Sequence, residues 1–207
     1  MPTHQTIAAV LFPGFELLDV FGPLEAFGML AEKDQCKILT LAENAGAVAS
    51  RQGPRVVADF GFDDCPALDL FLVPGGMGTR TEIINQRMLA WLRERAKTTA
   101  LMTSVCTGAA ILAQAGLLDG RRATTNKFSF KWVTEQGPRV DWVKEARWVE
   151  DGKFLTSSGV SAGIDMTLAI IAKLWDLATA EQTATRMEYE WHRDSGWDPF
   201  AKLHGLV

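Results

Sequence analysis

Apolar residues occur in two spacings along this chain, and the two alternate. Residues 7–12 (Ile7, Ala8, Ala9, Val10, Leu11, Phe12) are continuously apolar and stop at Pro13-Gly14, as in a strand buried on both faces of a parallel sheet. Residues 17–30 then carry apolar side chains at helical spacing, with Gly22-Pro23 obscuring where regular helix begins. Residues 36–41 read as a second strand, and residues 48–62, interrupted by Gly53-Pro54, as a hairpin at the sheet margin. Residues 68–73 form a third core strand that enters the glycine turn Gly75-Gly76. A helix is expected over 82–97, where positions 83, 84, 88, 89, 92 and 96 make one apolar stripe. Residues 100–105 predict a strand that runs directly into a helix of small residues, with Cys106 at the junction. Beyond it come a short strand over 122–125, a helix over 128–135, and a hairpin over 146–156 that turns at Asp151-Gly152. A long apolar helix over 161–177 and a polar-faced helix over 179–193 follow, and residues 194–207 have no strong pattern.

Strands alternating with helices, without repeats, low-complexity tracts or an evident linker, predict one α/β domain: a doubly wound, mostly parallel sheet with helices on both faces. Its functional residues belong at the carboxyl ends of the strands. The 207 residues suit a single domain with its core over about 6–178 and a helical extension over 179–207. Composition adds exclusions. With 47% hydrophobic and 22% charged residues the chain has ample material for a core. A net charge of −4 gives no electrostatic footprint for nucleic acid or an anionic membrane. No apolar run reaches the about 18 residues of a membrane span. The polar residues 1–6 and the short first apolar run do not make a signal peptide, so a cytoplasmic location is expected. Seven Trp stand against one Tyr, six of them after residue 130, and read as large apolar fillers.

Three cysteines, at 36, 65 and 106, make neither a disulfide framework nor a zinc motif, and at least one thiol must be free of any internal bridge. No metal or cofactor is called for. Cys106 has the most informative surroundings. A nucleophile at a strand-to-helix corner is thrust outward by the sharp turn, small neighbours such as Gly108 and Ala109 let the backbone come close, and a helix N-terminus favours the thiolate. The alternative is a small buried hydrophobe, which is the reading kept for Cys36 and Cys65. The backbone N–H of Thr107 and the Gly75-Gly76 turn are candidate donors for charge that develops on a substrate, although Pro74-Gly75-Gly76 is equally a plain tight turn. Histidine is scarce, with only His4, His192 and His204, none near the corner in sequence. Asp19, following the first strand in an apolar stretch, is the carboxylate best placed to handle protons, with a pKa raised by desolvation. It is equally readable as a helix N-cap.

At these residues the chain resembles the ThiJ/PfpI superfamily. The resemblance rests on Phe12-Pro13-Gly14-Phe15, Leu18-Asp19-Val20-Phe21-Gly22-Pro23, Val73-Pro74-Gly75-Gly76, Ser104-Val105-Cys106-Thr107-Gly108, Arg122-Ala123-Thr124-Thr125, and Ser161-Ala162-Gly163-Ile164-Asp165. It implies a flavodoxin-like fold akin to class I glutamine amidotransferases. The aspartate at position 19 and Cys106-Thr107-Gly108 most resemble the isocyanide hydratase branch. That implies a homodimer acting on a small molecule without a cofactor, in which Cys106 attacks the isocyanide carbon, Asp19 serves as acid and base, and Thr107, Gly75 and Gly76 line the pocket. The family commonly has histidine where this chain has Asn126, which keeps a hydrogen-bonding side chain at the pocket but cannot titrate. A glyoxalase- or deglycase-like activity would use the same thiol, usually paired with glutamate. A redox sensor would use its oxidation. A DNA-binding regulator is disfavoured by the negative charge. The tail over 189–200 falls outside the motifs and is expected to be surface helix and coil, or else to cover the pocket.

Overall fold

The computed structural model describes residues 5–207; the first four residues of the polar N-terminal stretch, His4 among them, lie outside it. Its centre is a six-stranded sheet with the order β2-β1-β5-β6-β10-β9. β1 (Gln5–Val10), β5 (Leu70–Val73), β6 (Leu101–Ser104) and β10 (Phe154–Ser157) are almost wholly buried, as the unbroken apolar runs require of strands covered on both faces. β2 (Cys36–Leu41) is an outer strand and alternates buried with more open positions. Five strands are parallel, and β9 (Trp148–Asp151) returns antiparallel along β10. The chain is thus the expected α/β flavodoxin-like sandwich, and the strand order reverses between β1 and β5. The crevice at such a reversal is where open α/β sheets bind ligands.

Helix α1 (Leu17–Ala31) runs uninterrupted through Gly22-Pro23. Pro23 has no N–H to offer the carbonyl of Asp19, four residues back, so the turn that carries Asp19 lacks one backbone bond. The expected margin hairpin is a separate two-stranded sheet, β3 (Gly46–Ala49) with β4 (Arg55–Ala58). The segment after β4 closes the carboxyl end of β2: Asp59 accepts from the Thr40 N–H, and the Ala42 N–H donates to the Phe60 carbonyl.

Four predicted elements differ. The helix over 82–97 is two helices, α2 (Thr79–Glu82) and α3 (Gln86–Thr98), because the Asn85 side chain accepts from the Arg87 and Met88 N–H groups and caps α3 there. Met88, Leu89, Leu92 and Ala96 keep the stripe buried, while Ile84 is exposed. After α4 (Gly108–Gln114), the strand over 122–125 shortens to β7 (Arg122–Ala123) and α5 (Phe130–Gln136) follows. β7 pairs with β8 (Asp141–Trp142), a strand too short to announce itself in the pattern. The apolar helix over 161–177 is α6 (Ala162–Leu174), ended by Trp175 and by Asp176, which caps α7 (Leu177–Arg186). α7 stops well short of residue 193, since Glu188 turns left-handed (φ 48°). The last helix, α8 (Pro199–Leu203), begins at the Asp198 cap.

Irregular backbone between α7 and α8 is held by buried charge. Arg147 and Asp165 form an ion pair at 2.6 Å, both side chains buried, and the other Asp165 oxygen accepts the His192 N–H. The Arg147 N–H donates to the Ser195 carbonyl at 2.7 Å. Removing one partner of such a pair strands the other charge in the interior. Asp165→Ala is therefore expected to lower stability by about 3–5 kcal/mol in urea denaturation, with the tail from residue 187 losing hydrogen-exchange protection first.

Candidate active site

Three chain segments meet at the reversal crevice. β6 leads into Val105 and then Cys106, whose φ of 57° is the left-handed conformation that a sharp strand-to-helix turn demands. Two hydrogen bonds hold that strained residue: its N–H donates to the Ser158 carbonyl at 3.0 Å, and its carbonyl accepts from Thr125 Oγ1 at 2.7 Å. Gly108, next along, has no room for a side chain, since a Cβ there would lie 2.3 Å from the Val73 carbonyl oxygen. From the neighbouring strand end comes Gly75, where a Cβ would meet the Thr107 N–H nitrogen at 2.6 Å. The third segment is the first turn of α1, which carries Asp19.

Asp19 is fully buried and Cys106 is 7% exposed. One carboxyl oxygen of Asp19 accepts the Gly75 N–H at 2.8 Å, while Oδ1 has no N–H or O–H donor. The Cys106 thiol faces this carboxyl and favours its ionised form, a smaller effect than burial. The helix N-cap position belongs to Glu16, so Asp19 does not act as the cap. Desolvation raises the Asp19 pKa to about 8 against the lowering effect of the Gly75 N–H, with the Glu16 charge adding to the rise. The Cys106 thiol is also pushed up, first by burial and then by the Asp19 charge. Backbone N–H groups of Thr107 and Val160 that point at Sγ oppose that rise without overcoming it. A thiolate favoured at rest by the helix terminus is therefore corrected: burial outweighs the backbone donors, and the pair prefers to keep its protons.

The two glycines of the turn need a second correction. The Gly75 N–H is taken by Asp19, and the Gly76 N–H by Thr107 Oγ1 at 3.1 Å, so neither is a free donor to a substrate. Both instead brace the corner. Val160, missed in the sequence, supplies an N–H to Sγ from a left-handed conformation (φ 37°) that a β-branched residue rarely adopts. Only its position after the glycine of Ser158-Gly159 hinted at it.

Sγ opens on a cleft of 140 Å³ bordered by Gly76, Thr107, Asn126, Phe128 and Val160. Its mouth carries Glu16, Arg51 and Arg80; Arg51 lies 3.4 Å from Glu16, and Arg80 stacks over the Trp132 ring at 4.0 Å. Asn126 stands where a second cavity of 230 Å³ begins, walled by Phe200 and His204 of the tail. Its Oδ1 accepts the Ser129 N–H at 2.9 Å. Cys36 and Cys65 are buried elsewhere, and burial pushes Cys36 up to about 11. Among the described residues no group of three or more His, Cys, Asp or Glu side chains could hold a metal ion, and no helix is long and apolar enough to cross a membrane.

Comparison with known proteins places this geometry. Residues 5–173 match the DJ-1/PfpI family. The chain belongs to that family. It is 34% identical to an isonitrile hydratase of Pseudomonas putida over 183 residues, 88% of this chain and 78% of that protein. It is 29% identical to the HTH-type transcriptional regulator GbdR of Pseudomonas aeruginosa over 82% of this chain, and that match spans less than half (46%) of the regulator. The crystal structure of a ThiJ/PfpI family protein from Pseudomonas syringae superposes with a TM-score of 0.80 at 32% identity, covering 91% of this chain and 76% of the other.

Two outcomes are expected of this site. Because the folded Asp19 pKa is raised, the carboxyl favours folding fully at pH below its unfolded value near 4, and that contribution declines as pH rises towards about 8. Asp19→Asn should accordingly gain stability over the native chain progressively between pH 4 and 8, read from urea midpoints across that range. Gly108→Ala should cost about 1–3 kcal/mol, since the added methyl collides with fixed backbone rather than a movable side chain, and denaturation will report it.

Proposed function

We propose that this member of the DJ-1/PfpI family is a cysteine-dependent hydratase of isocyanides. The observation that carries the reading is the pairing of a buried, proton-holding Asp19 with the Cys106 thiol at the foot of a small cleft. Addition of a thiol to a carbonyl builds charge on oxygen and calls for free N–H donors, yet both glycine N–H groups of the turn are already engaged. Addition to the terminal carbon of an isocyanide builds charge on that carbon, and a neutral acid beside the sulfur can quench it with a proton. The similarity to the Pseudomonas putida isonitrile hydratase supports the same reading.

Stepwise, Cys106 Sγ forms a bond to the terminal carbon while the Asp19 carboxyl delivers its proton to that carbon and regains one from the thiol. The product is a thioimidate, R–N=CH–S–Cys106. Water then adds across the C=N bond with Asp19 accepting a proton from the water and returning one to nitrogen. Collapse of the tetrahedral adduct breaks the C–S bond, forms the C=O bond, and passes the hydroxyl proton to sulfur. The sum is R–NC plus water giving R–NH–CHO, with no cofactor. Thr107 and Gly76 shape the wall, and Asn126 orients the substrate by hydrogen bonding. Working as a cytoplasmic homodimer on a small-molecule substrate is part of the same proposal.

Purified protein should convert aryl and alkyl isocyanides to formamides, and Cys106→Ala and Asp19→Asn should each lower kcat by at least about 100-fold. Absence of turnover across an isocyanide panel, with methylglyoxal consumed instead, would replace the hydratase by a carbonyl-directed enzyme. If neither reacts and peroxide modifies Cys106 stoichiometrically, the sensor reading takes over.

A further inference from the structure

Beyond the family-matched region, the tail sends one carboxylate back into the interior. Asp198 is 1% exposed, and its side chain meets that of Lys127, which is equally buried, at 3.3 Å. The other Asp198 oxygen accepts the Phe200 N–H at 3.1 Å and caps α8. Lys127 spends all three N–H donors on the elbow side: Nζ donates to Thr124 Oγ1 at 2.7 Å, to the Thr125 carbonyl at 3.2 Å and to the Ala146 carbonyl at 2.9 Å, so that Asp198 Oδ2 meets it as a charge and not through a hydrogen bond. Thr125 in turn donates from Oγ1 to the Cys106 carbonyl at 2.7 Å. The path from tail to nucleophile is continuous: Asp198, Lys127, Thr125, Cys106.

We propose that Asp198 is a positioning residue, which through Lys127 and Thr125 holds the left-handed corner at Cys106 so that the Thr107 and Val160 N–H groups stay aimed at Sγ. A buried ammonium held by three hydrogen bonds and one ion pair has a restricted geometry, and a backbone carbonyl bonded to it is restrained with it. Cys106 occupies a conformation that surrounding contacts must impose, and one of its two backbone restraints, the Thr125 hydroxyl, sits on the residue that Lys127 grips. Burial lowers the Lys127 pKa, while Asp198 and, more weakly, the exposed Glu145 favour its charged form. The charges facing the thiol itself are Asp19, Glu16 and Arg80, and none of them lies on this path.

Alkylation of Cys106 by iodoacetamide, followed by mass mapping across pH, tests the proposal without relying on any turnover. In the native chain the rate rises with pH through an inflection set by formation of the Cys106 thiolate, which burial and the Asp19 charge push upward. Asp198→Asn, which keeps the cap on Phe200, should move that inflection upward by about half a unit to one unit and slow alkylation at pH 7 about three- to tenfold. The double variant Lys127→Met/Asp198→Leu removes both buried charges, leaves Thr125 ungripped, and should show the same shift with the fold intact. Native circular dichroism with an unchanged profile in either variant overturns the proposal. Failure of both variants to fold would also overturn it, assigning the pair to stability alone.

Discussion

Burying a thiol and a carboxyl side by side constrains everything around them. Two anions in that space would repel without water to screen them, so the pair retains protons, and the protein must supply donors and sterics suited to a neutral acid. The Gly75 N–H on Asp19, the Gly76 N–H on the Thr107 hydroxyl, and the Thr107 and Val160 N–H groups on sulfur are all arranged about that demand. They come from three strand ends, those of β5, β6 and β10, and the reversal of strand order between β1 and β5 brings α1 and the elbow to a common crevice. Missing side chains matter as much as present ones, because a methyl at position 75 or 108 would occupy space that backbone already fills.

Under the proposed mechanism, an acid and a thiol whose pKa values are both raised would still carry out nucleophilic chemistry. A thiolate stabilised at rest would be a better leaving group and a weaker nucleophile, and would invite oxidation. On that proposal, a thiol that exchanges its proton with an adjacent carboxyl becomes nucleophilic only as the substrate carbon takes up the proton, and selectivity would follow from protonation demand as well as from shape. The Arg51–Glu16 pair and Arg80 at the mouth add a polar collar to a mostly apolar cleft.

Much of this was legible in the sequence, for physical reasons. Strands β1, β5 and β6 are buried on both faces and leave unbroken apolar runs, and the strand-Cys106-helix junction follows from small residues that only a close backbone approach requires. Asp19 stood out as an acid in an apolar stretch. Less was legible where the cause is tertiary. Asn85 divides a periodic stripe through a local cap, and β8 is two residues long. The direction of the Cys106 shift depends on burial by distant segments, and the Val160 donor depends on a backbone conformation that no residue type announces. Asn126 was singled out because it replaces a commonly titratable residue, while its neighbour Lys127, which carries four contacts and the buried pair with Asp198, gave no local signal.

The way the sheet ends has a consequence for assembly. At β2 the segment after β4 takes the backbone groups of Thr40 and Ala42, and beside β9 the Ser195 carbonyl receives the Arg147 and Trp148 N–H groups. Unpaired strand edges are what allow one sheet to continue into another. With both ends of this sheet occupied near the crevice, two copies cannot join there into a single twelve-stranded sheet. Any pairing of two copies through this sheet would have to begin away from the crevice, on the remaining lengths of β2 and β9.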